Sequence, residues 1–377
     1  MLTLASLSFF AFGMLLVLLG ANQAELSSAF ALDLTGSGFL GATLALGMGV
    51  GVVLAGPFAD RAPHRPLYIG ACVVTALGLF AIDAQRGYLG MVLICISIGL
   101  GAGFYETILN TAIVNTAREH AASKLALVHA AVTAGAGLGP IVVRWSLQYG
   151  PWTQIFHVLG WFHVALALLA LRPLWTPARV SHVPAVSKAF ILRPALVALS
   201  FSAFAYVGVE SGLTLFLVPW AHSRADVQSA GQWAISSFWI GLLVGRLTLT
   251  RWPARRGLQL LAASGLVAAL VVCAGTGFTL APLALVSALA GIALGPVFPL
   301  VMSLVALRFQ RQSGTAMGIV AACGAAGGFV VPWLVGALGD AFGMPAAMTM
   351  LGMLALLISV PALALSRREA PRDAAVV

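Results

Sequence analysis

An acidic group and an amide lie inside an otherwise apolar stretch of the chain. Residues 100–115 read LGAGFYETILNTAIVN, in which Glu106 and Asn110 are four positions apart. On a helix this spacing places both side chains on one face. A carboxylate at the centre of a bilayer costs about 2.5–3.5 kcal/mol, so such groups face the protein interior and serve a function there. The pattern predicts that Glu106 binds a proton and that Glu106 and Asn110 contact a solute, the alternative being hydrogen bonds that only pack one helix against another.

Two further carboxylates lie in apolar runs. Glu210 falls in the stretch FAYVGVESGLTLF, with Tyr206 one helical turn earlier, and Glu25 follows Asn22 and Gln23 in LGANQAEL. We predict Glu210 and Glu25 as additional proton-coupling groups, although Glu25 fits a solvated group at the membrane edge equally well. Tyr206 and Glu210 are candidate solute ligands. Asn22 and Gln23 are expected to line the outer part of the same pocket.

Ring-bearing side chains complete the candidate set. His129 fits a group that titrates near neutral pH and, equally, a buried histidine whose hydrogen bonds are made within the core. The C–H faces of a sugar ring stack on aromatic side chains while its hydroxyls seek amides and carboxylates. Each aromatic taken alone is more often a core or lipid-facing residue. The candidates of this kind, together with one amide, are Gln232, Trp233, Trp239, Phe298 and Trp333.

The composition shows which elements must hold these groups. Hydrophobic residues make up 60% of the chain and charged residues 8%, and the mean hydropathy is +1.01. A soluble domain carries about 25% charged residues, which it needs to cover its surface. The chain is therefore predicted to be an integral membrane protein. Its four cysteines lie in apolar runs without metal-type spacing, so we expect neither a metal site nor a disulfide.

The apolar runs are long enough to span a membrane and do not alternate, which favours helices over a barrel. Twelve runs occur, at about 4–27, 37–58, 67–83, 88–113, 122–147, 153–171, 194–218, 228–249, 257–276, 280–305, 314–338 and 344–365. We predict an all-α integral membrane fold of twelve transmembrane helices. The predicted parts are a six-helix bundle at 1–172, a cytoplasmic central loop at 173–193, a second six-helix bundle at 194–366 and a cytoplasmic tail at 367–377.

Basic residues are concentrated on one side of this arrangement. Loops after the even-numbered runs, together with the tail, hold 16 of the 20 Lys and Arg residues, whereas Arg144 and Arg246 lie within or at the ends of runs. The positive-inside rule predicts that these loops and both termini lie in the cytoplasm, in a multi-pass protein of the cell (inner) membrane. The net charge of +9 therefore indicates topology and contact with anionic lipids, and not nucleic-acid binding.

The two halves of the chain also repeat. A shift of 189 residues aligns four glycine pairs, namely Gly56 with Gly245, Gly135 with Gly324, Gly139 with Gly328 and Gly150 with Gly339. A parallel repeat of two six-helix halves is one known way to build a transporter, with the solute site between the halves near the membrane midplane. The candidate residues are expected to meet there.

The loop after the second run carries a signature. Residues 56–67 read GPFADRAPHRPL, which resembles the G-x-x-x-D-R-x-G-R-R loop of the major facilitator superfamily, although Pro and His replace its later Gly and first paired Arg. A degraded copy, GRLTLTRWPARRGL, follows the eighth run. The resemblance implies two pseudo-symmetric bundles. A latch is expected at Gly56, which would allow close helix approach, and at Asp60, Arg61 and Arg65, which would make charge contacts in one conformation.

Three short stretches resemble the fucose/galactose/glucose–proton symporter branch of that superfamily. They are ETILN at 106–110, YVGVE at 206–210 and GPVFPLVMSL at 295–304. The resemblance implies that Glu106 takes part in proton coupling and sugar contact. The acidic residue of that family's first helix has only Glu25 as a counterpart. We expect a monomer that takes up a small solute, with a hexose among the candidates, driven by the proton motive force without a cofactor; sodium stays open as the coupling ion.

Two rival functions remain open. The stretch GAGLGPIVVR, residues 135–144, partly matches the helix-five pattern G-x-x-x-G-P-x-x-G-G of proton-coupled antiporters that export amphipathic compounds. The partial match does not decide the direction of transport. A membrane sensor or enzyme is the second rival. The sequence shows no nucleophile–base set and no phosphate-binding loop, so we expect the chain not to be an enzyme.

Overall fold

The computed structural model describes residues 1–117, 121–172, 175, 188–224, 226, 230–249, 256–277 and 281–369. The side chains of several helix-end residues lie outside this description, including those of Asp60 and Arg61. The predicted charge pair of the latch therefore falls outside the described residues. So do most of the predicted central loop at 173–193 and most of the predicted tail at 367–377.

The first half of the chain contains seven helices that make six membrane crossings. A kink at Asn22 divides the first crossing into two helices, because the backbone there leaves the helical conformation. The helices are α1 (Leu2–Ala21), α2 (Gln23–Phe30), α3 (Leu34–Arg61), α4 (His64–Phe80), α5 (Gly87–Ala117), α6 (Ala121–Ser146) and α7 (Gln154–Leu169).

The second half begins with a four-residue helix and makes six more crossings. Its fourth crossing is broken at Gly295-Pro296, since proline has no N–H to continue a helical hydrogen-bond ladder. The helices are α8 (Lys188–Ile191), α9 (Pro194–Ser223), α10 (Ala230–Leu249), α11 (Gly257–Gly277), α12 (Leu283–Leu294), α13 (Val297–Arg308), α14 (Ser313–Phe342) and α15 (Met344–Glu369).

The described helices account for all twelve predicted crossings. Nine of the described spans are long and apolar enough to cross a membrane, with α12 and α13 counted together. Helices α4 and α7 are apolar but shorter. Helix α10 completes the twelve and is more polar, because it carries Gln232, two serines and Arg246. The all-α membrane fold predicted from the sequence is confirmed, whereas the kink at Asn22 and the break at Gly295-Pro296 were not predicted.

Glycines allow paired helices to approach closely within each half. A Cβ on Gly47 of α3 would lie 2.2 Å from the carbonyl oxygen of Ile96 on α5. Helix α10 packs on α12 in the same way, since a Cβ on Gly245 would lie 2.2 Å from the carbonyl oxygen of Ile292. A Cβ on Gly56 would meet no atom of the described residues within 4 Å, because α3 meets α5 nearer its middle than its end. The close approach of helices at Gly56 stays a prediction.

In the described residues the two halves meet mainly along three helix pairs, which are α1 with α9, α3 with α14 and α6 with α10, with smaller contacts of α2 with α9 and of α1 with α10. We call the end of the bundle where α2 joins α3 the outer end, following the predicted topology, and the opposite end the inner end. At the outer end, Asp340 of α14 accepts hydrogen bonds from the backbone N–H groups of Leu34 (3.0 Å) and Thr35 (2.8 Å) and from the Thr35 hydroxyl. A carboxylate from one half thus caps the N-terminus of α3 in the other half.

Candidate functional site

An ion pair links α9 and α10 inside the membrane region. Arg246 Nη2 lies 3.9 Å from Glu210 Oε2, and the two side chains are only 22% and 14% exposed. Tyr206 donates a hydrogen bond to the Glu210 carboxylate and accepts one from Arg246 at 3.2 Å. The Tyr206 ring stacks on Phe298 of α13, with the ring centroids 6.0 Å apart. The structure therefore brings together the predicted residues Tyr206, Glu210 and Phe298.

Arg246 also bonds to the other half of the protein. Its Nη1 donates a hydrogen bond to Thr133 Oγ1 on α6 at 2.8 Å. His129, one turn earlier on α6, is within electrostatic range of Arg246 and packs edge-on against Phe9, with the ring centroids 5.1 Å apart. We call Thr133, Tyr206, Glu210 and Arg246 the central network. One guanidinium group thus holds side chains from both bundles.

A cavity lies between the two halves on the outer side of the central network. The centres of water molecules can occupy about 60 Å³ of it, and it opens in part to solvent. Its first-half wall consists of small and apolar residues of α1 and α3, whereas Glu210, Ser211, Thr214 and Trp239 line its second-half wall. The indole N–H of Trp239 donates a hydrogen bond to Thr214 Oγ1 at 3.2 Å. This bond fixes the indole ring as a wall on which a flat apolar face can stack.

A second polar group lies near the kink between α1 and α2. Gln232 of α10 donates a hydrogen bond from Nε2 to the carbonyl oxygen of Ala21 at 3.3 Å, so it also joins the two halves. Asn22 and Gln23 donate hydrogen bonds within their own segment. Asn22 Oδ1, Gln232 Oε1 and Glu25 Oε2 are buried without a hydrogen-bond partner among the described residues. This group lies toward the outer end, apart from the central network.

Glu106 and Asn110 do not join the central network. Both are half-buried on α5, and neither lines the cavity. Within the described part of the chain, the Glu106 carboxylate makes no hydrogen bond or ion pair, and Asn110 Oδ1 is buried without a partner. Gly103, one turn before Glu106, packs on Met48 of the cavity wall. The pair therefore lies about one to two turns from the cavity toward the inner end.

The remaining predicted residues lie elsewhere. Trp233 and Trp333 are each 43% exposed, and neither lines the cavity. The Trp233 ring packs against Arg144, whose guanidinium carbon is 5.7 Å from the ring centroid. Arg65 donates a hydrogen bond to the carbonyl oxygen of Leu171, which follows α7 in the same half. Arg65 thus caps a neighbouring helix within its own bundle.

Sequence reasoning missed Arg246 and Thr133. Arg246 is one of the basic residues within or at the ends of apolar runs, which were used only to predict topology. Thr133 is uncharged and is not unusual in an apolar run. The argument that selected Glu106 applies equally to Arg246, since a charge inside an apolar helix is costly unless it is paired. No sequence signal points to Thr133, because its role depends on which helix packs against α10.

Two helical bundles enclosing a cavity, with buried charges between them, form the architecture of a secondary transporter. The sequence profile of the Major Facilitator Superfamily matches residues 1–275 and again residues 199–376. The chain therefore belongs to the Major Facilitator Superfamily. Membership makes it a multi-pass membrane transporter rather than an enzyme.

Similar proteins support the same class. "Bypass of stop codon protein 6" from Saccharomyces cerevisiae (strain ATCC 204508 / S288c) is 24% identical over 323 residues, and the match covers 74% of this chain and 64% of that relative. Three solved structures share the fold. A D-xylose-proton symporter has a TM-score of 0.78 and 14% identity, with 96% of each chain covered. An inward-facing bacterial homolog of the human lysosomal transporter Spinster has a TM-score of 0.75 and 15% identity, with 97% of this chain and 96% of that chain covered. The nucleoside transporter NupG has a TM-score of 0.74 and 16% identity, with 97% of this chain and 98% of that chain covered.

Proposed function

We propose that the protein is a proton-coupled secondary transporter that takes up a small polar solute by alternating access. One observation carries this proposal, namely that Glu210 belongs to the cavity wall and to the central network at the same time. A proton on Glu210 would therefore change a solute ligand and the charge balance of a contact between the two halves. Coupled transport requires such a link between ion binding, solute binding and conformation.

The proposed cycle uses the two carboxylates in sequence. Protonated Glu210 binds solute hydroxyls in the outward-open state, and Glu106, on the inner side of the cavity, accepts the proton on its way to the cytoplasm. One proton crossing 100 mV carries about 2.3 kcal/mol. At about 1.36 kcal/mol per decade, this free energy sustains roughly a 50-fold solute gradient. The cycle needs no cofactor, and sodium is the alternative coupling ion.

A sugar is the first solute class to test. Trp239 offers a flat ring for stacking, and Glu210, Ser211 and Thr214 offer hydrogen-bonding groups beside it. A D-xylose-proton symporter and a nucleoside transporter share the fold, which makes these two solute types reasonable members of the test panel. We also propose that the protein is a monomer of the cell (inner) membrane with both termini in the cytoplasm.

An exporter of amphipathic compounds is the second candidate. The observation that favours it is the apolar first-half wall of the cavity, formed by Leu16, Leu19, Leu44, Ala45 and Met48. An amphipathic molecule would bury its apolar face against this wall. The direction of proton flux separates the two functions, because a symporter brings protons in with its solute and an antiporter exchanges them.

The experiment uses proteoliposomes loaded with a pH-sensitive dye and offered a panel of hexoses, D-xylose, nucleosides and amphipathic cations. We expect a sugar or nucleoside to drive proton influx in the wild type. Glu210→Gln and Glu106→Gln should each abolish uphill accumulation while solute exchange persists, because an amide still hydrogen-bonds but cannot carry a proton.

Glu25→Gln is the matched control for these two variants, since Glu25 lies outside both the cavity wall and the central network. It should retain most of the uphill uptake. Undiminished accumulation with normal proton influx in Glu210→Gln would refute the proposed coupling. Proton efflux driven by an inward gradient of an amphipathic cation would favour the exporter.

A further inference from the structure

We propose that Arg246 is a positioning residue that converts proton binding on Glu210 into separation of the two halves, through its hydrogen bond to Thr133. This inference rests on the proposed proton coupling and adds to it the contact between α6 and α10 that opens. The guanidinium group is planar and carries fixed donors. Its Nη1 faces Thr133 on α6, while its Nη2 faces Tyr206 and Glu210 on α9. Arg246 therefore connects α6 to α9 as long as it is bound both to Thr133 and to the pair of Tyr206 and Glu210.

The low exposure of Arg246 and Glu210 determines which conformation the protonation of Glu210 favours. The Glu210 carboxylate, 3.9 Å away, is an ionic partner of Arg246, which is only 22% exposed. A cation that is largely shielded from water is destabilised when it loses its counter-charge, unless more water reaches it. Protonation of Glu210 removes that counter-charge. The conformation in which α6 and α10 are joined is then disfavoured, and a conformation that hydrates Arg246 is favoured.

Among the described residues, the titratable groups nearest to this pair are His129 on α6 and Tyr206 on α9. The described helices α1 and α12, which also pack against α9 and α10, contain no ionisable side chain. The other acidic, basic and histidine residues of the packed helices lie near the ends of their crossings, namely Lys124 and Arg144 on α6, His222 on α9, Glu25 on α2, Arg308 on α13, Asp340 on α14 and residues 367–369 of α15. Glu210 is thus the acidic side chain in direct contact with Arg246 among the described residues.

The test measures the separation of α6 and α10 without any solute. Spin labels at Leu127 on α6 and Leu247 on α10, both exposed, report the distance between the two helices in reconstituted full-length protein. Cys273 and Cys323 are replaced by alanine, because these two cysteines are partly accessible, whereas Cys72 and Cys95 are buried. Distance distributions are recorded from about pH 5 to about pH 9.

In the wild type we expect acidification to change the ratio of separated to joined populations by about tenfold, which corresponds to about 1.4 kcal/mol. Thr133→Val removes the hydroxyl that accepts from Arg246 and should favour separation at every pH, and Thr133→Ser should restore the wild-type response. Arg246→Gln should abolish the response. Thr248→Val, on the same helix as Arg246, removes only a hydrogen bond within α10 and should behave like the wild type.

The outcomes separate this inference from the proposed function. A wild-type pH response in both Thr133→Val and Arg246→Gln would overturn the inference, while solute-driven proton influx in the wild type would leave the proposed function standing. Absence of a pH response in the wild type would also overturn it. If no solute in the panel drives proton influx but the labels respond to pH as expected, the proposed function fails and the switch stands as a pH-dependent conformational device.

Discussion

Trp239 and Trp333 illustrate how two residues of one type can differ in role. Both lie in apolar helices, and both are candidate stacking residues for a sugar. Trp239 is buried in the cavity wall and donates a hydrogen bond to Thr214, whereas Trp333 is 43% exposed and does not line the cavity. Of the two, only Trp239 lines the cavity between the two halves.

We expect Trp239→Phe to weaken solute binding about two- to tenfold. The variant loses the hydrogen bond that fixes the ring and part of the stacking surface, and a hydrogen bond of this kind contributes about 0.5–1.5 kcal/mol. The measurement is the concentration dependence of exchange for the solute that the proteoliposome panel identifies. Trp333→Phe is the matched control and should leave the affinity unchanged. Equal losses in both variants would contradict the assigned role.

At the level of helices, Asp340 ties α14 to the start of α3. Its carboxylate accepts three hydrogen bonds from Leu34 and Thr35 of the other half, and it complements the positive end of the α3 dipole. Asp33 caps the same helix, but its bond to the backbone N–H of Gly36 (2.7 Å) stays within one half. Two acidic caps of one helix therefore differ in whether they join the bundles.

We expect Asp340→Asn to increase the population that is open at the outer end by about five- to tenfold. The amide keeps the shape of the side chain but loses the charge-assisted bonds, which are stronger than neutral ones. Because Asp340 is exposed, solvent screening offsets most of this loss. The measurement is the distance between spin labels placed on α3 and α14 near that end.

Asp33→Asn serves as the control for this prediction. It should lower the thermal stability slightly, because a cap within one half is weakened, without changing the distance distribution. Identical distance distributions for wild type and Asp340→Asn would show that the carboxylate does not hold the outer end closed.

Across the whole molecule, the two halves share aligned glycines in sequence but do not use all of them in the same way in packing. Gly56 and Gly245 align under the 189-residue shift, yet only Gly245 lies against a neighbouring backbone. A Cβ on Gly245 would come within 2.2 Å of a carbonyl oxygen of α12, and a Cβ on Gly56 would meet no atom within 4 Å in the part of the chain that the structure describes. The internal symmetry therefore does not extend to this pair of positions.

We expect Gly245→Ala to destabilise the folded protein by about 1–3 kcal/mol, because backbone atoms cannot give way to the added methyl group. Gly56→Ala should be neutral or slightly stabilising, since alanine is the better helix former. Thermal unfolding in detergent compares the two variants directly. A larger loss of stability in Gly56→Ala than in Gly245→Ala would contradict the close backbone contact assigned to Gly245.

Much of the architecture could be predicted because a membrane helix is specified locally. The residues of 88–113, for example, form an apolar run of spanning length. In lipid, a single run of this kind can satisfy its own backbone hydrogen bonds only as a helix. Tyr206 and Glu210 were also predictable partners, since they are one turn apart on a single helix. The kink at Asn22 was not predictable from the apolar run that contains it, because the run continues through it without a proline.

The sequence by itself determined the twelve crossings, the family and the presence of costly charges inside the membrane, because hydropathy and short motifs are properties of adjacent residues. The tertiary structure alone decided that Glu210 shares Arg246 with Thr133, that Glu106 lies apart from that network, and that Trp239 faces the cavity while Trp333 does not. The physical reason is that these relations join residues far apart in the sequence, such as Thr133 and Arg246, which are 113 positions apart. Such contacts arise from the packing of one helix face against another, which no local pattern specifies.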